Sequence, residues 1–112
     1  MLDLAQMKAL AMAGHVDYNL KKSVLAVSDR CDLTLVDAKK KIRGIIASLT
    51  EEHLCGSGDG VPPPPCDIYE FSEAYYDAAS GRIESINWYV KIGISAGAAP
   101  RLWVESFHPS VR

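Results

Sequence analysis

Between Cys55 and Cys66 the chain reads C-G-S-G-D-G-V-P-P-P-P-C. Glycines remove side chains, and four successive prolines have no amide proton to give a ladder and favour extended polyproline geometry. No helix or central strand runs through such a stretch, so it divides the 112 residues into two parts of different periodicity. At roughly ten residues it is long enough to be functional and too short to separate two domains. One domain over residues 1–112 is therefore expected, with a helical half about 1–54, a Gly/Pro loop about 55–66 and a sheet half about 67–110.

Before the loop the pattern is helical. Asp3 stands where an N-cap belongs, and Gln6 completes a capping-box spacing. Leu4, Met7, Leu10 and Ala11 then repeat at helical intervals until Gly14 offers a stop. A second helix is expected from near Asn19 to about Asp29, with Leu20, Val24 and Val27 on one face. Thr34 is the next cap, and behind it Leu35, Ala38, Ile42, Ile45, Ile46 and Leu49 form the strongest helical stripe in the sequence. Lys39, Lys40, Lys41 and Arg43 fall off that stripe, which suits a solvated face or contact with an RNA backbone. Gly44 inside this helix costs about 1 kcal/mol relative to alanine unless close packing against another element requires it.

After the loop the period changes to two. Tyr69, Phe71 and Tyr75 point one way, with Glu70 and Ser72 opposite, and Ser80-Gly81 supplies a turn. The next strand puts Ile86, Trp88, Val90, Ile92 and Ile94 on one face and Asn87, Tyr89 and Lys91 on the other. Following a turn at residues 96–100, the last strand is expected to set Trp103 and Phe107 on one face, with Leu102, Val104, Ser106 and His108 opposite. Helices first and hairpin-linked strands afterwards predict an α+β fold, three N-terminal helices packed on one face of a C-terminal antiparallel sheet.

Hydrophobic residues at 48% and charged residues at 23% are ordinary for a soluble globule and exclude a disordered or fibrous chain. No apolar run approaches the roughly 18–20 residues of a membrane span, and the early Asp3 does not suit a signal peptide. A cytoplasmic protein with no membrane partner is the expectation. Cys31, Cys55 and Cys66 are then expected as reduced thiols. Net charge is −2, split between residues 1–54 (8 basic, 7 acidic, net +1) and 55–112 (4 basic, 7 acidic, net −3). Any nucleic-acid contact must therefore come from a local patch.

The sheet face away from the helices is where chemistry has room. Asn87, Tyr89 and Lys91 look outward there, and a neighbouring last strand sends Ser106 and His108 outward beside them. A phenol, an imidazole and an ammonium on one open surface make a metal-free general acid–base set. An exposed strand tyrosine is also what β propensity alone selects. Arg82, Lys91 and Arg101 are the basic residues of the strand half nearest that surface, and so the candidate phosphate contacts.

Five short stretches carry a family resemblance: A-G-H-V after the first helix, I-I-A-S-L-T ending the third, then C-D-I-Y-E-F, Y-V-K-I and W-V-E-S-F-H in the strands. Together they resemble the MqsR toxins, bacterial mRNA interferases with a RelE-like fold that a partner antitoxin neutralises. The resemblance implies an endoribonuclease that works without a metal or other cofactor, the RNA 2′-hydroxyl attacking the adjacent phosphate. It implies that Tyr89 is the catalytic tyrosine, as acid–base group or 2′-hydroxyl positioner, with Lys91 on the phosphate. His108 falls where the family has a functional lysine, and as an imidazole it can shuttle protons near neutral pH. Asn87, Arg82 and Arg101 complete the expected substrate contacts. The family's F-Y-K-S lysine has no match in Leu54-Cys55-Gly56-Ser57, and its W-Q-D-V-Y glutamine falls at Cys66.

His53, Cys55, Cys66 and His108 invite comparison with a zinc site, but the set lacks the paired C-x2–4-C spacing of one, and no metal ligand is assigned. A Cys55–Cys66 disulfide and a Cys–His nucleophilic pair are the other uses of these thiols; a reducing compartment disfavours the first, and nothing marks an oxyanion hole for the second. A rival of another class keeps the same fold without catalysis, using the open face, its aromatic residues and the Pro-rich loop to bind a protein. The two missing polar groups and the acidic second half favour that rival.

Overall fold

The computed structural model describes residues 1–58 and 63–110; residues 59–62, the centre of the expected Gly/Pro loop, and 111–112 lie outside the described residues. Asp3 caps the first helix, α1 (Leu4–Ala13), its carboxylate accepting from the Gln6 amide at 3.1 Å. Gly14 closes α1 in the left-handed region (φ 77°). Thr34 caps α3 (Leu35–Ser48) in the same manner, accepting from the Asp37 amide. Between them α2 spans Val24–Cys31, later than the expected start near Asn19. The reason is a competing set of partners. The Asn19 amide donates to the Val104 carbonyl at 2.8 Å, and the Lys22 carbonyl accepts from the Phe107 amide at 2.9 Å, so residues 19–22 stay against the last strand. Nothing stands within 4 Å of a Cβ built on Gly44, so close packing does not explain that glycine.

Five strands follow among the described residues: β1 (Val16–Tyr18), β2 (Leu54–Ser57), β3 (Cys66–Asp77), β4 (Arg82–Ser95) and β5 (Arg101–Pro109). Their order is β1-β5-β4-β3-β2. The expectation of a wholly antiparallel, C-terminal sheet is corrected here: β1 lies in the helical half and runs parallel to β5, with Val16 opposite Leu102 and Tyr18 opposite Val104. The sheet is mixed. A three-residue V-D-Y strand is too short to show a period of two, and a parallel partner needs no hairpin to announce it. Leu54, read as the end of the helical half, and Cys55–Ser57, the first residues read as loop, instead pair with β3 as its outer neighbour.

The helices cover one face. Met7 and Ala11 of α1, Val24 and Val27 of α2, and Ala38, Ile42, Ile46 and Leu49 at α3 bury against Tyr69, Trp88, Val90, Ile92, Leu102, Val104 and Phe107. Trp88 and Phe107 meet at its centre, ring centroids 5.2 Å apart.

The last strand departs from strict alternation. Lys91 is opposite Ser106 and Ile92 opposite Val104, which leaves Glu105 as an extra residue, a β-bulge. The bulge shifts the phase, so that Leu102 and Val104 join Phe107 in the core and Trp103 turns to the open face. The expected grouping of Trp103 with Phe107 fails for that reason.

Tyr69 carries a testable cost. Its ring is fully buried, and among the described residues its hydroxyl has no hydrogen-bond partner. Burial first, then the nearby Asp67 and Glu51, push the phenol from 10.0 up to about 12. Below about pH 10 the group is protonated in both folded and unfolded chains, so its contribution is whole. As pH rises from there, the unfolded chain releases the proton and the folded chain keeps it, removing roughly 2–3 kcal/mol of stability by about pH 12. Tyr69→Phe should abolish that alkaline loss, read as the difference between the two proteins' urea midpoints at pH 9 and pH 11.5. Near neutrality the variant should gain about 1 kcal/mol by removing an unpaired buried hydroxyl. Identical slopes in the two proteins would refute the assignment.

Candidate active site

β4 supplies the centre of the open face because its apolar residues face the helices and the intervening ones do not. Asn87 is exposed and Tyr89 and Lys91 are half-buried, between the core residues Ile86, Trp88, Val90 and Ile92. Register sets the neighbours. Tyr89 is opposite Glu70 on β3 and opposite His108 on β5, so Glu70, Tyr89 and His108 form one row across three strands. The Tyr89 and His108 rings are stacked, with centroids 5.0 Å apart and planes at 15°.

The His108 Nδ1 lies 2.9 Å from the Pro109 carbonyl oxygen. A carbonyl oxygen only accepts, so Nδ1 carries the proton in that contact and Nε2 holds the lone pair of the neutral ring. The imidazole is thereby oriented for proton transfer through Nε2. Glu70 accepts from the Ser110 hydroxyl at 3.0 Å, and the Ser110 amide donates to the Asn87 carbonyl at 2.7 Å, tying the chain end after β5 to β3 and β4. The Asn87 side-chain oxygen accepts from the Ser72 hydroxyl, which turns that amide toward β3.

Lys91 occupies the same face two residues from Tyr89, about 7 Å along the strand, in a row with Ile68 and Ser106. Beside it stand Gly58 and the Pro65–Cys66 segment. The Gly58 amide donates to the Cys66 carbonyl at 2.6 Å, and a Cβ on Gly58 would stand 3.4 Å from Lys91 Cε. Two residues farther on, a Cβ on Gly93 would collide with the Pro65 carbonyl oxygen and stand 3.0 Å from Cys66 Sγ. Only glycine permits the segment to lie on the sheet there, walling one side of the Lys91 position.

The other expected contacts lie elsewhere. Arg82 sits seven residues from Tyr89, about 23 Å along β4, beside the hairpin turn, where it pairs with Glu84 at 3.6 Å. Arg101 is on the open face but is held by Asp17 of β1, Nε to Oδ2 at 2.8 Å, which raises the guanidinium pKa. Neither is a free phosphate contact beside Tyr89, because the register places one too far away and a long-range ion pair occupies the other. Of the expected phosphate contacts, Lys91 therefore remains beside Tyr89 among the described residues. Glu70 is the residue the sequence argument missed. Its outward position was legible, but its place opposite Tyr89 required the β3–β4 register, which follows only once the turn at residues 78–81 is known.

The cysteines are free thiols, and burial pushes the Cys66 thiol pKa up while Lys91 pulls it down; Cys31 is raised by burial as well. A raised thiol is a poor nucleophile at neutral pH. His53 packs against Phe71 with ring centroids 5.1 Å apart and planes tilted at 58°, and among the described residues no group of three or more His, Cys, Asp or Glu side chains is arranged to hold a metal ion. No described helix is long and apolar enough to cross a membrane.

On the helix side, a cleft of about 450 Å³ opens under the β3–β4 hairpin, with Arg30, Lys41, Glu73 and Tyr75 in its lining. Its two lining cations are already engaged: Lys41 pairs with Glu73 at 2.8 Å, and Arg30 donates to the Tyr75 hydroxyl at 3.3 Å. The acid–base groups are on the opposite face. Compared with known proteins, the chain matches no family model, no curated protein and no solved structure.

Proposed function

We propose that the protein is an endoribonuclease that cleaves single-stranded RNA without a metal, acting in the cytoplasm as the toxin of a bacterial toxin–antitoxin pair whose partner protein neutralises it. The observation that carries this reading is the Glu70–Tyr89–His108 row, with the phenol and imidazole stacked at 5.0 Å on the open face. Cleavage by the 2′-hydroxyl needs one group to take its proton and another to give a proton to the departing 5′-oxygen. Glu70 and His108 flank Tyr89 on its two sides and supply that pair. Glu70 takes the 2′-hydroxyl proton as the 2′-oxygen–phosphorus bond forms. His108, as imidazolium, gives its Nε2 proton to the 5′-oxygen as the phosphorus–5′-oxygen bond breaks. The products are a 2′,3′-cyclic phosphate and a 5′-hydroxyl, so atoms and charge balance. Tyr89 holds the 2′-hydroxyl between them, and the Lys91 ammonium offsets the charge developing on the phosphoryl oxygens.

The purified protein should cut RNA in excess EDTA, leave 2′,3′-cyclic phosphate ends and spare a substrate with 2′-deoxyribose at the cleaved position. Its expression should arrest growth, and a Tyr89→Phe/His108→Ala double variant should relieve the arrest. Arrest by the double variant would refute the assignment. A second reading, a non-catalytic protein-binding module using the same open face, is favoured by the net −3 of residues 55–112 and by Asp17 holding Arg101. Intact RNA after prolonged incubation with the folded protein would select it.

A further inference from the structure

Trp103 is on the open face because of the bulge at Glu105, and the same residue fixes its ring: the indole N–H donates to Glu105 Oε2 at 2.7 Å. Glu105 also lies 3.8 Å from Lys22 Nζ. Of the two cross-strand neighbours of Trp103, Gly93 has no side chain and the Asp17 carboxylate on β1 is held by Arg101. A half-buried tryptophan with its polar edge anchored thus stands on the solvent side of a sheet whose core already holds Trp88.

Its position relative to the acid–base row gives it a use. Four steps of the β4–β5 register separate the Gly93–Trp103 pair from Tyr89–His108, about 13 Å along the strand, and Lys91 with Ser106 lies between. An aromatic platform and a cation in line on one sheet face, leading to the row that holds the scissile phosphate, are elements with which proteins track a single strand: the ring takes a base and the cation takes the backbone. The spacing is well inside the ~4–16 nucleotide footprint of such sites. Pro65 and Cys66, seated over Gly93, border this stretch of the face on the β3 side.

We propose that Trp103 is a stacking platform for a base of single-stranded RNA flanking the phosphate held at Tyr89 and His108. This rests on the RNA reading above and adds to it a residue that acts on binding. The contribution of one stacked base corresponds to roughly 5- to 150-fold in affinity.

The test uses the wild-type protein with a labelled single-stranded oligoribonucleotide bearing 2′-O-methyl groups, which binds without being cut. Trp103→Leu keeps an apolar side chain on the sheet and should raise Kd by that factor. Trp103→Phe should retain most of the affinity, and Trp103 fluorescence should be quenched on binding. With cleavable RNA, Trp103→Leu should raise KM and leave kcat unchanged, and a dinucleotide too short to reach Trp103 should be cut equally well by both proteins. An unchanged Kd in folded Trp103→Leu, or no binding by the wild-type protein, would overturn the proposal. The two readings fail separately. Trp103-dependent binding with no cleavage removes the nuclease and keeps the platform, whereas cleavage with unchanged Kd and KM removes the platform and keeps the nuclease.

Discussion

Trp88→Ala is expected to remove about 3–5 kcal/mol of folding stability. The ring is fully buried on β4, tilted against Phe107 at 5.2 Å, and its indole N–H points to Glu73 Oε1 at 3.4 Å. Truncation leaves a cavity where sheet and helices meet, and removes the donor from a carboxylate that then has Lys41 to itself. A domain of this size holds only about 5–15 kcal/mol in total, so the variant should unfold at a much lower urea concentration with little change in slope. Trp103→Phe is the control on the other face, expected to cost less than about 1 kcal/mol because it deletes no core volume. Near-equal losses for the two tryptophans would mean that the bulge at Glu105 does not divide them between core and surface.

That bulge also marks where reading the sequence stops working. The caps Asp3, Gly14 and Thr34, the α3 stripe from Ala38 onward and the inward face of β4 are local signals, each carried by residues within a few positions of one another, and the structure has them in those roles; Leu35, the first residue of the stripe, is exposed. One extra residue in β5 reverses which side chains meet the core, and nothing in R-L-W-V-E-S-F-H-P says where it falls. Strict alternation assigned Ser106 and His108 to the open face together with Leu102 and Val104. The bulge keeps His108 half-buried there and Ser106 beside Lys91 but buried, and it sends Leu102 and Val104 into the core.

Longer-range features were hidden for a related reason. β1 is a three-residue strand whose partner is more than eighty positions away. Arg101 is engaged by Asp17 across the same distance, so a residue that looks like a free cation in the sequence is part of the fold. Tyr89 and Lys91 were legible because alternation alone sends them outward. Glu70 as part of the row was not, since it depends on twelve consecutive β3–β4 pairs being in one register.

His108→Ala should lower RNA cleavage by about 10²–10⁴-fold, the usual worth of one proton-transfer group, while shifting the unfolding midpoint little. His108 is half-buried on the open face and contributes no core packing, so a large rate loss with an intact fold separates chemistry from stability. Lys91→Ala should cost about 10²–10³-fold if the ammonium offsets charge on the phosphoryl group. Glu70→Gln keeps an acceptor for the Ser110 hydroxyl but removes the base, and so should act on kcat more than on KM. Because base and acid serve one concerted displacement, the Glu70→Gln/His108→Ala double variant should lose much less than the product of the two single losses. Full additivity would mean that the two residues do not act in the same step, and unimpaired cleavage by either single variant would remove that residue from the mechanism.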